Sequence, residues 1–184
     1  YEVPLVLRTE GLDAIVLKNL NLPTDTTCDI KEWEALAQRI KHSKDDVTVH
    51  VVGKYVGYED SYKSLNEALS HGGIAHNLRV KLKWIEAEDL ESGGLEALEG
   101  VDGVLVPGGF GPRGTEGMAA AAGWARKRRV PYFGICYGFQ WAVIEYAREV
   151  AGLSQAGSSE CHSDSADKVI LKLRELVGVE ELGG

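Results

Sequence analysis

The chain has 184 residues, enough for one domain with a flanking segment and a substantial core. Its formal net charge of −8 argues against a sequence-independent nucleic-acid surface, and no apolar run is long enough to cross a membrane or reads as a signal peptide. Three cysteines (Cys28, Cys136, Cys161) without paired spacing point to a reducing, cytoplasmic compartment and to no structural metal.

In chain order, Tyr1-Glu2-Val3-Pro4 opens without an initiator Met, as the interior of a longer polypeptide or a trimmed chain would. Leu12, Ile15, Val16 and Leu20 follow helical spacing and predict a short amphipathic helix before Pro23. Residues 21–27 read as a linker, after which Asp25 or Asp29 caps a helix with Trp33, Leu36, Ala37 and Ile40 on one face. Val47 to Gly53 is β-branched and reads as a strand, closed by Gly53-Lys54-Tyr55. A helix is predicted from Asp60 to Gly72, stopped by Gly72-Gly73. Leu78 to Ile85 alternates as a second strand, with Val80, Leu82 and Trp84 facing one way. Glu86 to Glu91 reads as an acidic loop or first helical turn, and Leu95 and Leu98 lie in a short helix. Val101 to Val106 is almost wholly apolar, as central parallel strands are.

A glycine-rich loop (Pro107 to Gly114) follows, then an alanine-rich helix from Met118 to Arg128. The helix's basic end, Arg126 to Arg129, suits a C-terminus and reads as a solvated cluster rather than a phosphate contact. A short strand from Val130 leads through Gly134-Ile135-Cys136-Tyr137-Gly138 into a helix with apolar residues at Phe139, Val143, Tyr146, Ala147 and Val150. Beyond Ala151 the pattern is less regular, with a polar loop at 157–165, a strand at 169–173 and a turn at 179–184. The strand–helix alternation predicts an α/β fold: an open, mostly parallel, flavodoxin-like sheet with helices on both faces. In such folds ligands gather at the carboxyl ends of the strands, where the Gly108 loop and Cys136 should share one crevice.

A thiol between two glycines on a strand-to-helix turn is the cysteine form of the nucleophile elbow. A side chain at Gly134 or Gly138 would crowd so tight a turn, and a helix N-terminus favours the thiolate. A small buried cysteine is the alternative. Pro107 to Gly111 matches neither a dinucleotide fingerprint nor a phosphate loop. It suits an oxyanion cradle, with N–H donors at Gly109 and Tyr137, or else a plain βα turn. A nucleophilic cysteine needs a base, yet none of His42, His50, His71, His76 and His162 is evidently placed for that work.

Residues 107–114 and 134–140 resemble class I, triad-type glutamine amidotransferases. Within that class, the stretch from Val52 to Leu69, Ala156 to Glu160 and Tyr1 to Leu5 resemble the C-terminal domain of the CTP synthase family and the end of its synthetase domain. The resemblance implies residues 1–45 as synthetase tail and linker, and 46–184 as an amidotransferase domain lacking its C-terminal part. It implies L-glutamine as substrate, with Cys136 forming a glutamyl thioester. Gly109 and Tyr137 would serve as oxyanion donors, and Phe110, Gly138, Phe139, Gln140 and Glu160 would help hold the glutamine. The resemblance implies no cofactor or metal for the domain itself. The full, homo-oligomeric enzyme would use ATP, Mg and GTP to aminate UTP to CTP, while the domain alone could be monomeric. Tyr137 and Phe139 stand where the family has Leu and Met. The family's His and Glu of the triad have no match before Gly184. This implies an inactive isolated chain, and leaves a docking or regulatory domain as the alternative. Another cysteine-elbow enzyme, peptidase- or deglycase-like, is disfavoured by the matches at Gln140 and Glu160.

Overall fold

The β-branched run at the start of the predicted domain forms the strand expected of it, β1 (Asp45–Gly53), in the computed structural model. The structure describes residues 1–24, 29–43, 45–54 and 59–172. The expected cap at Asp25, Cys28, Tyr55 and the turn at 179–184 lie outside them. The chain folds as two compact units, residues 1–47 with 67–80, and residues 48–66 with 81 onward.

In the first unit, α1 (Val3–Thr9) and α2 (Leu12–Asn19) are joined through Gly11 at φ 74°. Of these two helices, the sequence pattern had predicted only the second. Neither buries a residue, and Val3, Val6, Ile15 and Leu20 stay more than half exposed. Asp29 accepts the N–H of Lys31 at 3.0 Å at the start of α3 (Lys31–Lys41), whose Trp33 donates to the Tyr1 carbonyl at 2.7 Å. The helix expected to stop at Gly72-Gly73 does not: after a 3-10 turn at Glu59–Tyr62, α4 runs from Lys63 to Ala75. Gly73 is buried, and a Cβ there would lie 2.7 Å from Val80 and 2.8 Å from the Leu78 carbonyl. The glycine therefore permits close packing rather than termination.

The main sheet has the order β2-β1-β3-β4, with β2 Leu78–Glu86, β3 Gly103–Val106 and β4 Tyr132–Gly134. The β1–β3 and β3–β4 pairs are parallel, in registers that set His50 beside Val104 and Val104 beside Tyr132. This is the parallel α/β architecture expected of the sequence. In the second unit, Val52, Val104 and Val106 join a core with Met118 and Ala121 of α6 (Thr115–Arg128) and Trp141 and Ile144 of α7 (Tyr137–Glu149). Small residues bring the helices close. A Cβ on Gly117 would fall 1.7 Å from the Ala87 carbonyl of α5 (Ala87–Glu91).

Two sequence expectations are corrected here. The buried stripe of α7 is Tyr137, Trp141, Ile144 and Ala147, whereas Phe139, Tyr146 and Val150 are 60%, 55% and 47% exposed. Apolar residues occupy more than one face of this helix, so its period did not fix its phase. The basic end of α6 is also more than a solvated cluster. Arg126 makes a two-pronged pair with buried Glu145 (2.6 and 3.1 Å), Lys127 pairs with Glu149 and Arg128 with Glu99. The segment read as a polar loop begins with β5 (Gly157–Ser158), paired in parallel with β6 (Lys168–Ile170).

Candidate active site

Cys136 stands at the carboxyl end of β4 and caps α7 with φ 50° and ψ −104°, a conformation rarely adopted by a residue with a side chain. The glycines on either side make it possible. A Cβ on Gly138 would lie 2.1 Å from the Val106 carbonyl, and one on Gly134 2.6 Å from the Phe139 nitrogen. The turn is therefore as crowded as its sequence implied, and it leaves the cysteine exposed. Tyr137 is the first residue of the helix, where backbone N–H groups have no intrahelical acceptor.

The glycine-rich loop after β3 meets this elbow. A Cβ added at Gly108 would touch that of Cys136 at 3.8 Å, and one at Gly109 would touch the Tyr137 ring at 3.6 Å. The loop is fastened at Gly111, which has φ 76°. Its N–H donates to Glu160 Oε1 at 2.9 Å, and its carbonyl accepts from Lys54 Nζ at 2.6 Å and Tyr137 Oη at 2.7 Å. Lys54 also donates to the Phe110 carbonyl at 3.0 Å, and its ammonium lies 4.7 Å from the centre of the Tyr137 ring. Tyr137 Oη is 3.1 Å from Cys161 Sγ. Arg113 donates to the Lys54 carbonyl at 2.5 Å and pairs with Glu88 at 2.5 Å.

Electrostatics follow from this enclosure. Lys54 is 4% exposed. Burial pushes its pKa down and Arg113 adds to that, while Cys161 and Glu160 oppose it. Burial, with the hydrogen bond to Cys161, holds the Tyr137 phenol above its ordinary range. Tyr132, whose hydroxyl donates to the Gly138 carbonyl at 2.8 Å, is likewise pushed up by burial.

Of the residues singled out in the sequence, Cys136, Gly109 and Tyr137 come together directly, and Glu160 joins them through Gly111. Phe110 and Phe139 are 72% and 60% exposed, Gly138 is buried in the elbow, and Gln140 donates its backbone N–H to the Cys136 carbonyl at 3.1 Å. Among the described residues no histidine hydrogen-bonds to Cys136. His50 is buried in β1, and His162 lies 3.6 Å from Glu116 with its ring edge-on to Trp141. Lys54 and Cys161 were missed by sequence reasoning. Lys54 carried a usable signal, since it follows β1 directly at the carboxyl edge of a parallel sheet. Cys161, on a turn after β5, carried none.

A model of the class-I glutamine amidotransferases matches residues 58–178. The chain belongs to that family. Over its whole length it is 54% identical to CTP synthase of Acidobacterium capsulatum and 53% identical to that of Koribacter versatilis. It covers 34% and 33% of those proteins, so it spans about a third of their length. Among solved structures, the amidotransferase fold is shared with the glutaminase domain of Trypanosoma brucei CTPS with bound acivicin. The TM-score is 0.64 at 41% identity, over 68% of this chain and 49% of that one. The resemblance carried by residues 107–114 and 134–140 is thus borne out, as is the α/β fold. No helix among the described residues is long and apolar enough to cross a membrane.

Proposed function

We propose that this domain is the glutaminase part of a CTP synthase. Cys136 Sγ attacks the side-chain amide carbon of L-glutamine, and the N–H groups of Gly109 and Tyr137 receive the developing oxyanion. The attack forms the C–S bond, and collapse of the tetrahedral adduct re-forms the C=O and breaks the C–N bond, releasing ammonia once that nitrogen takes up a proton. Water then cleaves the thioester to glutamate and restores the thiol. Phe110, Phe139 and Gln140 border the glutamine, while Glu160 receives its α-ammonium on the carboxylate oxygen not used by Gly111. In the longer protein, ammonia passes to a synthetase domain, to which residues 1–45 are tail and linker. There it aminates ATP-activated UTP with Mg, under GTP stimulation, in a cytoplasmic homo-oligomer.

The observation that carries this reading is the strained Cys136 backbone beside the Gly108–Gly109 turn. A glutamine-directed electrophile such as 6-diazo-5-oxonorleucine should label Cys136 once per chain, with Cys136→Ser unlabelled. Absence of labelling on a thiol that iodoacetamide still alkylates would refute a glutamine site.

One observation favours a second reading, a docking or regulatory domain: among the described residues no histidine stands ready to protonate the leaving nitrogen. The 184-residue chain alone is therefore expected to release ammonia no faster than its Cys136→Ser variant, even if it is labelled. Robust turnover by protein whose intact mass matches the 20.0 kDa of this chain would overturn that expectation.

A further inference from the structure

A loop containing Gly108, Gly109 and Gly111 has little in its own sequence to choose one conformation, because glycine populates both halves of φ space. Yet an oxyanion site works only if its N–H groups are held in place before charge develops. The loop's shape must come from elsewhere, and the second unit supplies a buried cation beneath it. Lys54 is delivered by the carboxyl end of β1, is 4% exposed, and spends its ammonium on the carbonyls of Phe110 (3.0 Å) and Gly111 (2.6 Å). Its methylenes run under Gly109, where a Cβ would be 3.7 Å from Cδ. A lysine so enclosed is costly compared with an apolar side chain of its shape, and packing alone gives no reason for the charge. Tyr137 and Glu160 complete the fastening from the carbonyl and N–H sides of Gly111.

We propose that Lys54 is a positioning residue for the oxyanion loop: it draws the Phe110 and Gly111 carbonyls down so that the preceding N–H, at Gly109, stays turned toward Cys136. The assignment rests on the glutaminase reading and deepens it. Lys54 touches neither substrate nor thiol in this role. It sets the transition-state affinity of the site and leaves the reactivity of Cys136 alone.

The test compares two probes of the same thiol in wild-type protein and in Lys54→Met, which keeps the shape and removes the charge. An aldehyde analogue of glutamine adds to Cys136 as a thiohemiacetal whose oxygen needs the oxyanion donors, whereas iodoacetamide needs only the thiolate. Lys54→Met should lower aldehyde affinity by about 10²-fold, the order lost with one oxyanion donor, and leave the rate and pH profile of alkylation within about twofold. Unchanged aldehyde affinity, or an equal fall in both probes, overturns the assignment. A wild-type protein that alkylates but binds no aldehyde refutes the glutaminase reading and this one with it. If Lys54→Met does not fold, Tyr137→Phe removes the other donor to the Gly111 carbonyl. It should reproduce the split at about tenfold, and an even loss on both probes would count against the clamp.

Discussion

Two glycine-rich turns face each other at the candidate site, and they are held by different physics. At the elbow the glycines are compulsory. Backbone from Val106, Gly138 and Phe139 occupies the space a Cβ would need, at 2.1–2.8 Å. In the loop a Cβ on Gly108 or Gly109 would find ordinary contacts at 3.6–3.8 Å, and one on Gly111 would meet nothing within 4 Å. The elbow is rigid because close packing leaves it no alternative. The loop holds its shape because Lys54, Tyr137 and Glu160 fasten it. The strained Cys136 thus sits on a sterically locked turn, and the glycine-rich loop beside it is tied down by side chains.

Substitutions at matched positions separate the two kinds of restraint. Gly138→Ala should be the most damaging, since relieving a 2.1 Å approach to the Val106 carbonyl requires moving β3 or α7. A loss on the order of 3–5 kcal/mol in urea unfolding is expected, and a loss under about 1 kcal/mol would show that the elbow can relax. Gly111→Ala meets no atom but must hold φ 76°, so it should cost roughly 1–2 kcal/mol by the same measurement.

Acid should act on both turns together, through the sheet that carries them. Burial, aided by Lys83, holds the pKa of His50 below its ordinary 6.5, so the folded protein favours the neutral ring. Its contribution to stability is complete above 6.5 and is lost as pH falls from there toward the folded-state pKa. Urea midpoints should decline across that window, and His50→Leu should flatten the decline. The smallest effect is expected from Gly109→Ala, within about 0.5 kcal/mol, with aldehyde affinity retained because the N–H remains. A large loss there would mean that the loop, too, is locked by packing.

The elbow was legible in the sequence because its chemistry is local: two glycines, one cysteine and a strand-to-helix change within a few residues. The loop's glycines were equally visible, but its fastening was not. Lys54 and Gly111 are 57 residues apart, and nothing in their local patterns links them. Gly72-Gly73 shows the same limit. A glycine pair that looks like a helix stop became a packing contact once β2 lay against it.

By itself the sequence determined the strand–helix alternation from β1 to α7, the parallel α/β class and the cysteine elbow, since each follows from periodicity or sterics among near neighbours. Only the tertiary structure decided which face of α7 is buried, where the basic end of α6 finds its carboxylates, and what holds the glycine-rich loop after β3. Those depend on groups far apart in the chain meeting at a common surface, where burial turns an ordinary lysine into a clamp.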